Sequence, residues 1–349
     1  MVARHVVRGG RGRIAHLLRA GTGLAITLGA STAAAQPREW LAATVAPEDS
    51  PSGNVAKRYL SLFSQSAGGK LRFKRRFGGV LGAEEDTVAE LQRGGIQLVG
   101  VSLGAVAERV PELRFLEQPY LFADAKVHRR ALSGLSARDP TVQALFARRG
   151  LVLVSLFHVG AKNISSVKRP VRSPADLVGL PVRSQPSDLH PEIWRSWGAV
   201  PKAIALTELN SALEIALVEA FDVPATWVYA CSLDARIKHY TLTRHVLQTG
   251  VLVVNKAAWD ALPRAWREKI LDGLPGLEAQ AEQELARFDE ELIALLPSRG
   301  VKVIQPTAAE MAAWRAPAAR VEAYLRRTGS KEELQLFDRV KKLIAQPAK

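Results

Sequence analysis

The chain has 349 residues, 47% of them hydrophobic and 23% charged, which is the composition of a globular protein long enough for two domains. Its formal net charge is +14, but the first 35 residues contain five arginines and no acid, which leaves +9 on the remainder. This excess favours anionic partners through long-range attraction. The sequence has no basic arm, zinc-finger spacing or recurring basic-aromatic pattern, so nucleic acid is not a predicted partner.

The first segment, residues 1–35, has the three parts of a signal peptide. A charged region ends at Arg19, a short apolar run follows, and the alanines up to Ala35 supply an A-x-A cleavage site. We expect export and cleavage after about Ala35, which makes Gln36 the mature N-terminus. The alternative is an uncleaved tail; the apolar run is too short for a durable membrane-spanning helix.

Strands and helices alternate in the first part of the mature chain. Apolar runs and alternation predict strands, helical spacing or an acidic first turn predicts helices, and glycine pairs end several of them. The predicted order is strand 39–46, helix 54–64, strand 70–77, helix 84–93 and strand 96–101. This order indicates right-handed crossovers and a largely parallel sheet.

A second α/β unit is predicted after a buried strand at 151–157. Its expected strands are 163–167, 180–183, 219–223, 240–247, 251–255 and 301–304, with helices at 187–197, 207–218, 257–296 and 308–345. Strand 251–255 is expected to return to the first unit. The long helical region is expected to be interrupted at Pro263 and at Pro275-Gly276.

One arginine has a position suited to a binding site. Ser173 and Pro174 predict a helix start, Gly179 ends that short helix, and a brief extended run then ends at Arg183. A guanidinium at a strand end can hold a carboxylate with two parallel hydrogen bonds. The alternative interpretation is a surface arginine paired with an acid.

No enzyme motif is found. The chain lacks a G-x-S-x-G elbow, an H-E-x-x-H pair, a Walker A loop and a G-x-G-x-x-G turn after a strand. Cys231, the only cysteine, is interpreted as a small core residue. His239 and His245 are too far apart for easy shared ligation. We therefore predict no catalytic residue, no metal and no cofactor.

Several stretches together resemble the solute-binding proteins of TRAP transporters, of the dicarboxylate-binding type. The resemblance covers residues 44–296, and its matching stretches are 45–51 (VAPEDSP), 68–97, 110–124, 168–183 (KRPVRSPADLVGLPVR) and 197–213. It implies an α/β fold of two lobes that close like a clamshell, with a hinge and a long bracing helix. The implied division is 36–158 plus about 249–290 for lobe I, and 159–248 plus about 291–349 for lobe II.

The resemblance also implies site residues. Arg183 falls at the position of the arginine that holds the ligand carboxylate, and Lys162 replaces a second arginine in a Gly-x-Arg element. In the other lobe, the matching positions are Thr44, Glu84 and Ser102.

The chain departs from the family pattern before the predicted hinge. The family's Gly-x-x-Asp-Gly-x-Glu-Asn-Pro run reads ALVEAFDVP here, with Val223 in place of the asparagine. This substitution indicates a ligand that is less polar at that end, with Trp227 on the same wall.

The implied function is that of a periplasmic receptor. It would capture a small organic anion, a carboxylate, and deliver it to the membrane subunits of a TRAP transporter by closing around it. One alternative is a ligand-sensing or scaffold protein of the same fold that acts on a signalling partner. The other is a secreted enzyme on an acidic substrate, with Arg183 positioning the substrate and Glu219 as a base.

Overall fold

A single mixed β-sheet organises residues 38–346, which are the residues described by the computed structural model. Its strand order is β2-β1-β3-β8-β4-β7-β5-β6, and β9 pairs with β8. The predicted signal peptide and its cleavage site lie outside the described residues. The strands are β1 (Arg38–Ala43), β2 (Leu71–Arg76), β3 (Leu98–Ser102), β4 (Leu151–Ser166), β5 (Pro181–Ser184), β6 (Val200–Ala203), β7 (Ala220–Val223), β8 (His239–Asn255) and β9 (Lys302–Ile304).

Helices cover the sheet and connect its strands. The α-helices are α1 (Pro51–Ser66), α2 (Glu84–Arg93), α3 (Leu103–Ala107), α4 (Ala125–Ser133), α5 (Pro140–Ala147), α6 (His190–Ser196), α7 (Leu209–Glu214), α8 (Ala225–Ala230), α9 (Lys256–Asp260), α10 (Arg264–Leu295), α11 (Ala308–Arg315), α12 (Ala318–Thr328) and α13 (Lys331–Ala345). Short 3₁₀ segments lie at Pro111–Glu117, Pro174–Leu177, Leu206–Glu208, Leu233–Ala235 and Leu296–Arg299. Within residues 38–346, no helix has both the length and the apolar character needed to cross a membrane.

Two long strands join the halves of the sheet. We call the part with β1, β2 and β3 the N-terminal half, and the part with β5, β6 and β7 the C-terminal half. β4 and β8 are 16 and 17 residues long and pair with each other through both halves. The prediction of two short strands in place of each was wrong. Register shifts such as that between His158 and Gly160 break the sequence pattern while the strand continues.

The sheet is more mixed than predicted. The outer pairings β1–β2, β1–β3, β5–β6 and β5–β7 are parallel, as the crossover order indicated. The central pairings β3–β8, β8–β4 and β4–β7 are antiparallel. The return of the predicted strand 251–255 is confirmed, because this part of β8 pairs with β3.

The predicted bracing helix is present as α10, with 32 residues. It packs against α1 in the N-terminal half, α8 in the C-terminal half and the strand β4 that joins them. Pro263 precedes its first turn, but the predicted interruption at Pro275 was wrong, because the helix continues through it. Proline removes one helical hydrogen bond. Here Leu274 and Ala281, on either side of it, are buried in the core, and this packing maintains the helix.

Candidate functional site

The predicted site residues lie where strands end. Ser102 is the last residue of β3, and Arg183 is the next-to-last residue of the short strand β5. Val223 ends β7, and Thr44 follows β1 directly. Because the carboxyl ends of parallel strands share one edge of a sheet, each half presents a pair of these residues. Ser102 also contacts the residue after β5, so the two edges meet in a cleft.

The cleft contains two adjoining cavities. The first, which we call the polar cavity, has a volume of about 20 Å³ and is lined by Glu84, Lys162, Arg183, Gln185, Asp222 and Gln248, together with Val223 and Trp227. The second, the apolar chamber, has a volume of about 50 Å³ and includes Val55, Tyr59, Val101, Phe157, Leu252 and Leu285 in its wall, with Thr44 and Ser102. Glu84, Trp227 and Gln248 line both. These volumes hold only a few water-sized molecules, so the cleft must widen to admit a ligand of several atoms more.

Arg183 is a buried cation with free donors. Its side chain is only 4% exposed, and its Nε donates to the backbone oxygen of Ile204 at 2.8 Å. Within residues 38–346, no hydrogen bond or ion pair within 4 Å engages Nη1 or Nη2. Burial lowers the pKa of Arg183, while Asp222, Glu85 and Glu84 act in the opposite direction. The two nitrogens therefore form a fork of hydrogen-bond donors beside the polar cavity.

A chain of hydrogen bonds crosses the cleft from Glu84. The Glu84 carboxylate accepts from both the backbone N–H and the hydroxyl of Ser102. Gln185 donates from Nε2 to the Ser102 oxygen at 2.7 Å and accepts from Lys162 Nζ at 3.0 Å. Gly104 makes room for this amide, since a Cβ there would lie 2.4 Å from Gln185 Nε2. The chain therefore links a helix start in the N-terminal half to a strand in the C-terminal half.

Lys162 is the centre of a buried charge cluster. It is 1% exposed, and its Nζ lies 2.7 Å from His190 Nε2 and 3.8 Å from Asp222 Oδ2. Burial, and then Lys162, lower the pKa of His190, so the neutral ring accepts at Nε2 and its Nδ1 donates to Ser187. Glu117 lies beside this ring, with Oε2 at 3.1 Å from Nε2. Although burial acts to raise its pKa, Lys162 and His190 hold it below the ordinary value.

Asp222 is fixed by a second histidine. His245 Nε2 donates to Asp222 Oδ2 at 3.1 Å, while its Nδ1 accepts from the Thr243 hydroxyl at 2.8 Å. Burial acts to raise the pKa of Asp222, but Lys162 and His245 lower it strongly. Asp222 is therefore an anion at neutral pH and neutralises Lys162, which leaves Arg183 as the cation without a close counter-ion.

A family model matches most of the chain. The model described as "Bacterial extracellular solute-binding protein, family 7" matches residues 42–327. The chain belongs to this family.

Three proteins similar to this family 7 protein match it over most of both chains. A solute-binding protein of Verminephrobacter eiseniae is 31% identical over 280 residues, which are 78% of this chain and 81% of that one. The 2,3-diketo-L-gulonate-binding periplasmic protein YiaO of Escherichia coli is 24% identical and aligns with 72% of this chain and 76% of its own. A TRAP periplasmic solute-binding protein from Bradyrhizobium sp. BTAi1, solved with galacturonate, has a TM-score of 0.80 and 28% identity, and the match covers 87% of this chain and 100% of that one. These structures have the two-lobed clamshell fold, and the family 7 protein shares it.

The structure brings together all seven residues expected from the sequence. Arg183, Lys162 and Val223 line the polar cavity, Thr44 and Ser102 line the apolar chamber, and Glu84 and Trp227 line both. Their contact with a ligand stays a prediction. The ammonium group of Lys162 already bonds to Gln185 and His190, which occupies two of its three N–H groups.

Several cleft residues were missed by the sequence reasoning. Asp222 occupies the place of the second acid in the family run that was compared with ALVEAFDVP, so the motif itself contained a signal for it. Gln185 lies two residues after Arg183, just past the end of the predicted strand, and no motif marks it. No local sequence motif marks His190 or Glu117, because they come close to Lys162 only when distant strands and helices pack together.

Glu219, the base considered for an enzyme, lies outside both cavities. It precedes β7 at the end opposite Val223, and its carboxylate pairs with Lys168 at 3.3 Å. The described residues contain no group of three or more His, Cys, Asp or Glu side chains arranged to hold a metal ion.

Proposed function

We propose that this family 7 protein is a receptor that binds an organic acid through Arg183. The observation that supports the proposal is the environment of Arg183. The residue is only 4% exposed, and both terminal nitrogens of its guanidinium are free of protein partners within residues 38–346. A buried charge is costly unless it is paired and hydrogen-bonded. A carboxylate in the polar cavity would supply the missing charge and accept both hydrogen bonds.

Closure of the cleft is the proposed mechanism. The ligand would join Arg183 of the C-terminal half to groups of the N-terminal half, and the exclusion of water would strengthen the charge pair. The lobes proposed are 36–158 plus about 249–290 and 159–248 plus about 291–349. The register shift between His158 and Gly160 supports a hinge at this boundary. Gly160 has a φ of +147°, and a Cβ there would lie 2.9 Å from Pro224, so glycine is required at this point.

Delivery to the membrane subunits of a TRAP transporter is proposed from the family and from its solved members. Periplasmic location and removal of residues 1–35 belong to the same proposal. N-terminal sequencing of the exported protein tests the second part, with Gln36 as the expected first residue. Uptake of a bound acid by vesicles that contain the transporter subunits, dependent on added receptor, tests the first.

The test of the carboxylate clamp compares two arginines. Thermal shift and calorimetry against mono- and dicarboxylates, keto acids, sugar acids and aromatic acids would be run on the wild type, Arg183→Lys and Arg72→Lys. A ligand present at 100 times its dissociation constant adds about 2.7 kcal/mol of stability. We expect this shift in the wild type and in the Arg72 variant, which changes an exposed residue of β2. Binding that survives in Arg183→Lys would refute the clamp.

We propose a receptor rather than an enzyme. The position of Glu219 outside the cavities supports this choice. Mass spectrometry of a bound acid after prolonged incubation should recover it chemically unchanged. Conversion of the acid by wild type, and not by Arg183→Lys, would favour the enzyme.

A further inference from the structure

The apolar chamber beside the polar cavity has a wall made mostly of apolar side chains. Val55 and Tyr59 of α1, Val101 of β3, Leu252 of β8 and Leu285 of α10 all line it, and each is at most 5% exposed. The Tyr59 hydroxyl is turned to Ser155 at 3.0 Å, so the ring is what the residue offers to the chamber. Two helices and two strands therefore supply the wall, and most of it is apolar.

Few polar groups reach this chamber with bonding capacity to spare. The Ser102 hydroxyl is occupied by Glu84 and Gln185. Gln248 Oε1 and Trp227 Nε1 are buried without a partner among residues 38–346, and both residues line the junction with the polar cavity. The other hydroxyl groups of the chamber belong to Ser52 and Thr44, and Thr44 Oγ1 already accepts from the backbone N–H of Ala46 at 3.2 Å. A ligand body in the chamber would therefore meet a wall that is mostly apolar, with few groups for its own hydroxyls to bond.

Two glycines at the chamber indicate that its space is a defined feature of the fold and not a packing defect. Gly100 of β3 lines the chamber, and a Cβ added there would meet only Leu252 Cδ1, at 3.9 Å. Gly250 of β8 lines it too, and a Cβ there would lie 2.4 Å from the Phe157 ring. Two central strands therefore lack side chains where they border the same space. Glycine weakens a strand interior, and it commonly marks a place where another group approaches closely.

We infer that the ligand is a monocarboxylate with an apolar, ring-shaped or branched body, and not a sugar acid or a dicarboxylate. This inference rests on the proposed function, because it places the carboxylate on Arg183 and the body in the chamber. Val223, at the polar end, supplies no amide to a hydroxyl. Each methylene buried in the chamber contributes roughly fourfold in affinity, and each hydroxyl buried there without a partner removes roughly tenfold.

Two acids of the same shape provide the test. Cyclohexanecarboxylate and galacturonate both carry a carboxylate on a six-membered ring, and they differ in the hydroxyl groups and ring oxygen of the sugar. Calorimetric titration of the purified protein, freed of ligand by unfolding and refolding, should give at least about a hundredfold tighter binding of cyclohexanecarboxylate. Succinate, added as the dicarboxylate probe, should bind at least as weakly as galacturonate.

Two variants locate the parts of the ligand. Gly100→Ala places a methyl group in the chamber and should weaken cyclohexanecarboxylate at least tenfold, with an unchanged circular dichroism spectrum and urea midpoint. Arg183→Lys should abolish binding. Tighter binding of galacturonate or succinate, lost in Arg183→Lys, would overturn the ligand class and leave the proposed function intact. Unchanged binding in Gly100→Ala would overturn the chamber as the body site, and failure of every acid to bind would overturn both proposals.

Discussion

Replacement of Lys162 by methionine tests the buried charge cluster. Lys162 is the cation that holds the pKa values of both Glu117 and Asp222 low against the effect of burial. Without it, Asp222 keeps the N–H of His245, but neither carboxylate oxygen of Glu117 has a hydrogen-bond donor within residues 38–346. Removing one partner of a buried charge pair costs about 3–5 kcal/mol. We expect Lys162→Met to lose about 4 kcal/mol of unfolding free energy at pH 7.

The same substitution should make stability depend on pH in a defined direction. In the wild type, the depressed pKa values of the two acids give stability that is present above their unfolded values near 4 and is lost only below them. In the variant, the buried pair of Glu117 and His190 takes up a proton on folding. The penalty should therefore shrink as pH falls from 7 to 5, with a slope of up to about 1.4 kcal/mol per pH unit.

Urea unfolding of wild type and variant at pH 7, 6 and 5 measures both effects. Lys57→Met is the matched control, because Lys57 is partly exposed and its partner Asp49 is fully exposed, 3.7 Å away. It should lose no more than about 0.5 kcal/mol. Glu117→Gln in the Lys162→Met background should recover part of the loss. A loss below about 1 kcal/mol for Lys162→Met, or an equal loss at pH 7 and 5, would refute the reasoning.

Three other outcomes follow from particular contacts. Gly104→Ala puts a methyl group 2.4 Å from Gln185 Nε2, so calorimetry should show at least tenfold weaker ligand binding, while Gly276→Ala, which meets nothing within 4 Å, should bind as wild type does. Burial lowers the pKa of His158 to about 4. The neutral ring therefore contributes roughly 3 kcal/mol of folding stability that is present above pH 6.5 and is lost as pH falls toward 4. Urea unfolding of His158→Gln should lack this part of the loss of stability at low pH. Arg114→Met leaves Glu333 of α13 buried without its 2.9 Å ion pair and should lower the free energy of unfolding by about 3–5 kcal/mol. A loss below about 1 kcal/mol in urea unfolding would contradict this account.

The fold was predictable from the sequence where the pattern is local. The strands of the N-terminal half follow from apolar runs and from alternation, and the predicted strand 70–77 differs from β2 by one residue at each end. Prediction failed where strands cross between the halves. Gly160 and the register shifts around it have the pattern of a break, and only the partner strand β8 shows that β4 continues.

The candidate site was also predictable only where its signal is local. Arg183 has a strand-end position and a motif around it, and both can be recognised without a structure. The contacts of Lys162 cannot, because Gln185, His190 and Glu117 come from three segments that meet only when β4, β7 and β5 pair in order. A lysine inside a strand has no local signal for burial, and its position follows from long-range pairing alone.

The antiparallel pairing of β3 with β8 also affects the order in which the molecule assembles. Leu98 pairs with Val254, about 150 residues later in the chain. The N-terminal half of the sheet is therefore incomplete until nearly three-quarters of the chain is available. Until then β3 has an unpaired apolar edge, which is a template for aggregation. A fragment that stops before Gly250 lacks every β8 partner of β3, and it should precipitate rather than fold. A growing chain of this protein has to be kept soluble by other means until β8 arrives.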